Sequence, residues 1–238
     1  MRAHRVRALL MGGQACVLYG AAEFSRDTDL VVVADVANLA RLRRALADLQ
    51  AEVIAVPPFT AQLLRRGHAV HFRCQHPAAR GMRVDVMAKM RGVDAFGTLW
   101  KRRTTVELPD GARLEVLSLP DLVQAKKTQR DKDWPMIRRL VEAHYFEHRA
   151  NPTPAQVRFW LEELRTPEIL MEVARGHARL CRRLATQRPV LAAASLISGG
   201  SRQAVERVLL AEETAERARD RRYWSPLRAE LQRLRHAR

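Results

Sequence analysis

The chain has only three cysteines, Cys16, Cys74 and Cys181, odd in number and far apart. Their spacing offers neither a disulfide framework nor a thiolate metal site, and it fits a reduced, cytoplasmic protein with buried thiols. No apolar run reaches the roughly 18 residues of a membrane span. The opening MRAHRVRALLMGG is basic and then apolar, but its apolar part is too short for a secretory signal. Lysine is nearly absent. Of 42 basic residues, only Lys89, Lys101, Lys126, Lys127 and Lys132 are lysine. There is no glycine-rich phosphate loop: no lysine follows Gly199-Gly200-Ser201. Internal repeats and low-complexity segments are missing too.

What is present is positive charge on an ordinary globular background. The 238 residues are 47% apolar, enough for a sizeable core, and carry a net charge of +16. Such an excess favours polyanionic partners, either nucleoside triphosphates or nucleic acid. The other reading is an arginine-rich composition whose charges only solvate surfaces.

The pattern is α+β: mixed strands and helices to about residue 148, then helix alone. Residues 5–12 read as a short helix or a lead-in, and 13–20 as a helix of small residues packed close to a sheet. The β-branched run at 30–34 predicts a buried strand, and the leucine spacing over 36–50 an amphipathic helix. A short strand at 52–56 stops at Pro57-Pro58, and 60–66 reads as helix. Residues 68–74 and 82–87 form a hairpin about a turn at 75–81. A helix at 93–102 precedes a second hairpin, 104–108 with 113–117, around Asp110-Gly111. Ser118, Pro120 and Asp121 mark a capped helix start for 118–130, followed by a helix at 133–148. Asn151-Pro152-Thr153-Pro154 is the best linker, so domains of 1–148 and 149–238 are expected. Helices are expected at 154–165, 167–185, 201–220 and 224–236, with breaks at Pro167, Pro189 and Gly199-Gly200.

The chemistry concentrates in Gly12–Val33. Asp27 and Asp29, one residue apart at a strand edge, point to one face and can serve one hard cation. Gly12 and Gly13 lie upstream, where the backbone could approach a phosphate closely. Asp85, between Val84 and Val86, sits mid-strand; it either joins a metal or proton site or pairs with an arginine such as Arg83. Lys126 and Arg130 are four apart on a helix, converging on a polyanion or simply solvated. Asp133 orients Lys126 or caps the next helix, and Arg26 meets phosphate or solvent. His68, His71 and His76 have no simple ligand geometry. The four tryptophans read as core or interface anchors.

The ordered combination of Gly12-Gly13-Gln14-Ala15, Ser25-Arg26-Asp27-Thr28-Asp29 before an apolar strand, and Val84-Asp85-Val86 resembles the nucleotidyltransferase superfamily of the DNA polymerase β type. Within it the chain looks like the minimal nucleotidyltransferases akin to the AbiEii toxin group. Ser118-Leu119-Pro120-Asp121-Leu122 followed by Lys126, Arg130, Lys132 and Asp133 adds to the likeness, which covers residues 8–148. Thr28 departs from the usual apolar residue between the aspartates. The resemblance implies a nucleotidyltransferase-like mixed sheet flanked by helices, with an all-α C-terminal region beyond it. It implies Mg2+ (or Mn2+) held by Asp27, Asp29 and Asp85, with these and Lys126 catalytic. Gly12, Gly13, Ser25, Arg26, Lys126, Arg130 and Asp133 would meet the phosphates. The implied reaction moves a nucleoside monophosphate from an NTP to a hydroxyl, on an RNA or tRNA 3′ end or a protein, and releases pyrophosphate. The alternative is a non-catalytic nucleic-acid- or protein-binding component of toxin–antitoxin type. No membrane partner is expected.

Overall fold

A computed structural model describes residues 1–195 and 201–236. The expected break at Gly199-Gly200 lies outside the described residues. In chain order the elements are β1 (Ala8–Met11), α1 (Gly12–Leu18), β2 (Asp27–Val32), α2 (Val36–Asp48), β3 (Ala51–Val53) and α3 (Ala61–Arg66). Next come β4 (Val70–Cys74), β5 (Arg83–Met87), α4 (Phe96–Lys101), β6 (Thr104–Glu107), β7 (Arg113–Val116) and α5 (Leu119–Lys126). Helices follow: α6 (Asp133–His148), α7 (Pro154–Glu163), α8 (Pro167–Gly176), α9 (Ala178–Leu184), α10 (Val190–Ala194) and α11 (Arg202–His236). The fold class is α+β.

Two compact units emerge. One comprises Met1–Ala125 together with the chain from Arg222 on; the other is Lys126–Arg221. The linker at Asn151–Pro154 therefore lies inside the second unit. The reason is packing: the Tyr145 and Trp160 rings meet at 5.1 Å, and Trp160 Nε1 donates to His144 Nδ1 at 2.9 Å. These contacts bind α6 to α7.

The first unit is built on a seven-stranded open sheet of order β3-β4-β5-β2-β1-β7-β6. The sheet is mixed: β2 runs parallel to β5 and β1 parallel to β7, while the other neighbours are antiparallel. Residues 8–11 were expected to lead into a helix, yet Ala8–Met11 is an inner strand between β2 and β7. Strand alternation gives the central strands one apolar face, with Leu10, Leu30, Val32, Val70, Phe72, Val84 and Val86 all buried. The opposite face is apolar at Leu9 and Val31 and polar at the N-terminal ends of β2 and β5. In α5, Asp121 accepts from Ser118 Oγ at 2.5 Å and from Arg102 Nε at 2.6 Å, which fixes the helix start anticipated from Ser118. His68 is almost fully buried; its Nε2 meets Glu230 Oε2 at 2.9 Å, and Arg66 pairs with the same carboxylate.

The second unit is helical. A capping box opens α7: Thr153 Oγ1 accepts from Gln156 N at 3.3 Å, and Gln156 Oε1 accepts from Thr153 N at 2.8 Å. Leu161, Leu164, Leu170, Cys181, Leu184 and Leu191 are buried in its core. Arg188 is buried with them and donates to the Leu161 and Leu164 carbonyls, each at 2.7 Å. It thereby satisfies carbonyls that the end of α7 leaves open. The stretch expected as one helix at 167–185 divides at His177 into α8 and α9. The two helices expected at 201–220 and 224–236 are instead one, α11, with Pro226 inside it.

Candidate active site

The register of β2 against its neighbours builds the site. Across four strands, Met11, Asp29, Asp85 and His71 stand in one row. The next row holds Asp27, Arg83 and Arg73. Adjacent strands lie about 4.8 Å apart, so Asp29 and Asp85 are side by side, and the two-residue period puts Asp27 on their face. Thr28 pairs with Val84 and so faces the other way. Both aspartates of the pair lie within β2 rather than ahead of it, since the strand starts three residues before the β-branched run that marks it.

Gly12 follows β1 directly and opens α1 with φ +69°. A methyl group there would overlap the Asp29 carboxylate, and one on Gly13 would overlap Ser25 Oγ. Only glycine has both the left-handed conformation and the clearance at position 12. The two glycines thus let a carboxylate and a hydroxyl lie directly on the backbone at the start of α1. Ser25 Oγ also donates to the Asp27 carbonyl at 3.3 Å. Arg26 is exposed, its guanidinium 5.8 Å from the Phe24 ring centre.

The electrostatics tie the rows together. Arg83 Nε donates to Asp85 Oδ1 at 2.9 Å, and His71 Nδ1 lies 2.8 Å from the same oxygen. Arg83 Nη2 also approaches His71 Nδ1, at 3.1 Å. Burial works to raise the Asp85 carboxyl, but the bonds and charges of His71 and Arg83 outweigh it and hold it below the ordinary range. The Arg83 guanidinium is pushed up by its bond to Asp85 and by the charges of Asp85, Asp27 and Asp29. All three carboxylates therefore act on one cation. Among the described residues, no three His, Cys, Asp or Glu side chains are gathered closely enough to form a ready metal cluster. At Asp85 the arginine pairing, one of the two sequence readings, is present.

Lys126, Arg130 and Asp133 belong to the second unit. The helix expected over 118–130 ends at Lys126, so Lys126 and Arg130 do not share a helical face. They meet instead on Asp133, whose carboxylate receives Lys126 Nζ at 3.3 Å, Thr128 Oγ1 at 2.5 Å and Arg130 Nε at 2.7 Å. Asp133 is the first residue of α6, with Lys132 before it as the cap. Burial tends to raise its carboxyl, yet the charges of Lys126 and Arg130 and the Thr128 hydroxyl bring it below the ordinary range.

A lowered folded value means the stabilisation exists above the unfolded carboxylate range and disappears as pH falls through the folded value. Asp133→Asn is therefore expected to lose about 3 kcal/mol at neutral pH. Urea denaturation of both proteins across an acid series should show that deficit shrinking towards zero. A deficit independent of pH would contradict the assignment.

No family model matches the chain, and no curated protein matches it. The likeness to nucleotidyltransferases accordingly rests on the sequence motifs alone. Among the described residues, no helix is long and apolar enough to cross a membrane.

The sequence reading passed over one member of the site. His71 was weighed only with His68 and His76 as a metal cluster. The signal was available in the hairpin: a turn centred on residue 78 pairs positions equidistant from it, and so sets 71 against 85.

Proposed function

We propose that the chain is a metal-dependent nucleotidyltransferase, of the DNA polymerase β type and akin to the minimal AbiEii-like group. It would move a nucleoside monophosphate from an NTP to a hydroxyl on RNA or protein. The observation that carries this reading is the β2–β5 register, which sets Asp29 beside Asp85 with Asp27 on the same face. The donor set is three carboxylates, the hard oxygen ligands suited to Mg2+ or Mn2+. Such ions, when bound, stabilise the attacking and leaving oxygens of an in-line displacement at phosphorus.

The chain's own residues would do the rest. Asp27, Asp29 and Asp85 would hold the cation. Arg83 now balances their charge; it is 39% exposed along its side chain and has room to turn away. Gly12, Gly13 and Ser25 would offer backbone and hydroxyl groups to phosphate oxygens, and exposed Arg26 would add a positive charge. Lys126 and Arg130, which the sequence motif offers as phosphate cations, are held jointly by Asp133 within the second unit.

The test is incubation with each labelled NTP, Mg2+ and either total RNA or acceptor protein. Label transfer with stoichiometric pyrophosphate is the expected result. A second reading is favoured by the Arg83–Asp85–His71 contacts: a binding component in which Asp85 is structural. RNA binding without transfer from any NTP would select it.

A further inference from the structure

The second unit contains a cavity of about 480 Å3 whose wall includes Trp134, Arg138, Arg139, Arg165 and Arg217. Asp131 and Glu213 are its only acids among the described residues. Four arginines against two acids leave two positive charges in surplus on the lining. The local pairings show where that surplus lies. Arg217 is taken up by Asp131 at 2.5 Å and Glu213 at 2.7 Å. Arg138 reaches Glu142 at 3.2 Å, one helical turn along α6. Arg139 is exposed and has no acidic partner among the described residues.

Arg165 is the unusual member. Its side chain is 7% exposed, and only Nη2 finds a carboxylate, Glu212 at 3.3 Å. Glu212 already serves Arg188, whose Nε lies 3.3 Å from both of its oxygens. Arg165 Nε and Nη1 are buried with no hydrogen-bond partner. Glu163, another acid of this region, is engaged by Lys127 at 2.7 Å. One carboxylate thus answers two buried guanidiniums, and two charged donors stay unsatisfied, which a protein interior tolerates poorly. Trp134 keeps the arginines in place: the Arg165 and Arg217 guanidinium carbons stand 5.0 Å and 5.7 Å from its ring centre.

We infer that this cavity binds a phosphate group. Arg139, with no acidic partner among the described residues, and Arg165, which shares Glu212 with Arg188, are the under-neutralised cations of the lining, and a phosphate presents several anionic oxygens to both. Its oxygens accept in the fork geometry that guanidinium donors offer. The cavity exceeds one phosphate in size and falls in the range that accommodates a larger ligand. The phosphate is therefore either free or carried on a nucleic-acid backbone. This inference is independent of the nucleotidyl-transfer reading, because the cavity lining includes none of the residues assigned to that site.

The experiment is calorimetric titration of the full chain with inorganic phosphate, and in parallel with a short single-stranded RNA. EDTA and constant chloride keep metal-bridged binding at the aspartates out of the measurement. Arg139→Gln, at an exposed position, is expected to weaken phosphate binding about tenfold, the worth of one charge-assisted hydrogen bond. Arg165→Met, with its fold checked by circular dichroism, should weaken it at least as much. Asp29→Asn should leave it unchanged, which separates this site from the proposed active site. If the phosphate belongs to nucleic acid, the RNA binds more tightly than phosphate, and Arg139→Gln lowers its salt slope by about one. If it is free, the RNA binds no better than phosphate. Binding of neither probe, or binding of both unaltered in the two arginine variants, overturns the proposal.

Discussion

Asp29→Asn is expected to abolish nucleotidyl transfer, by a factor of about a thousand or more, while the protein stays folded. The magnitude follows from the role. Losing a metal-bound carboxylate removes about 4 kcal/mol of transition-state charge stabilisation, and each 1.36 kcal/mol is tenfold in rate. Asparagine is the informative replacement because it retains the volume that lies over Gly12 and changes only the charge. Its neighbour provides the control. Thr28→Val alters the opposite face of β2, beside Val84, and should leave the rate within a few fold. The readouts are pyrophosphate release and label transfer, with thermal melts to confirm folding. An Asp29→Asn protein as active as the parent would end the metal-site reading and leave the aspartates a structural role.

The largest effect on stability is expected at Arg188. Burial works to lower its pKa and the nearby Arg165 charge adds to that, with Glu212 opposing. Its two carbonyl bonds, to Leu161 and Leu164, secure the end of α7 in the middle of the second unit. Arg188→Met leaves both carbonyls without this donor and removes one of the two cations on Glu212. A loss of about 3–5 kcal/mol is expected, the range for breaking a buried charged network from one side. Urea denaturation followed by helical circular dichroism measures it. A loss below about 1 kcal/mol would mean that water or neighbouring donors replace the arginine.

Much of the site could be read from local pattern, and what escaped depends on tertiary context. The Asp27–Asp29 spacing places both on one strand face by alternation alone, and the β-branched run after them marks the strand. Gly12 was singled out for close approach to a phosphate, and what lies on it in the fold is the Asp29 carboxylate. Ala8–Met11 escaped because alanine, leucine and methionine all favour helix; pairing with β2 and β7 overrides that preference in so short a segment. Residues 201–220 and 224–236 were read as two helices, and Pro226, which removes a donor and crowds the preceding turn, lies in the second. Yet α11 continues through it to His236. The engagement of Lys126 and Arg130 by Asp133 was legible only in part. The seven-residue interval from Lys126 to Asp133 suggested proximity, but the early end of α5, which redirects Arg130, has no clear mark in the sequence.

The Glu230 contact of His68 has a temporal side. His68 is nearly sealed from solvent, and its ring partner lies 162 residues further along the chain. Ribosomes add about 5–20 residues per second, so on the order of ten seconds separates the making of the two. Throughout that interval the strands of the sheet and its aspartates are already synthesised, while the imidazole waits for its carboxylate. The unit that bears the candidate active site is thus completed last, by residues translated after the whole helical unit. A nascent chain holds every aspartate of the site well before it can close the structure around them.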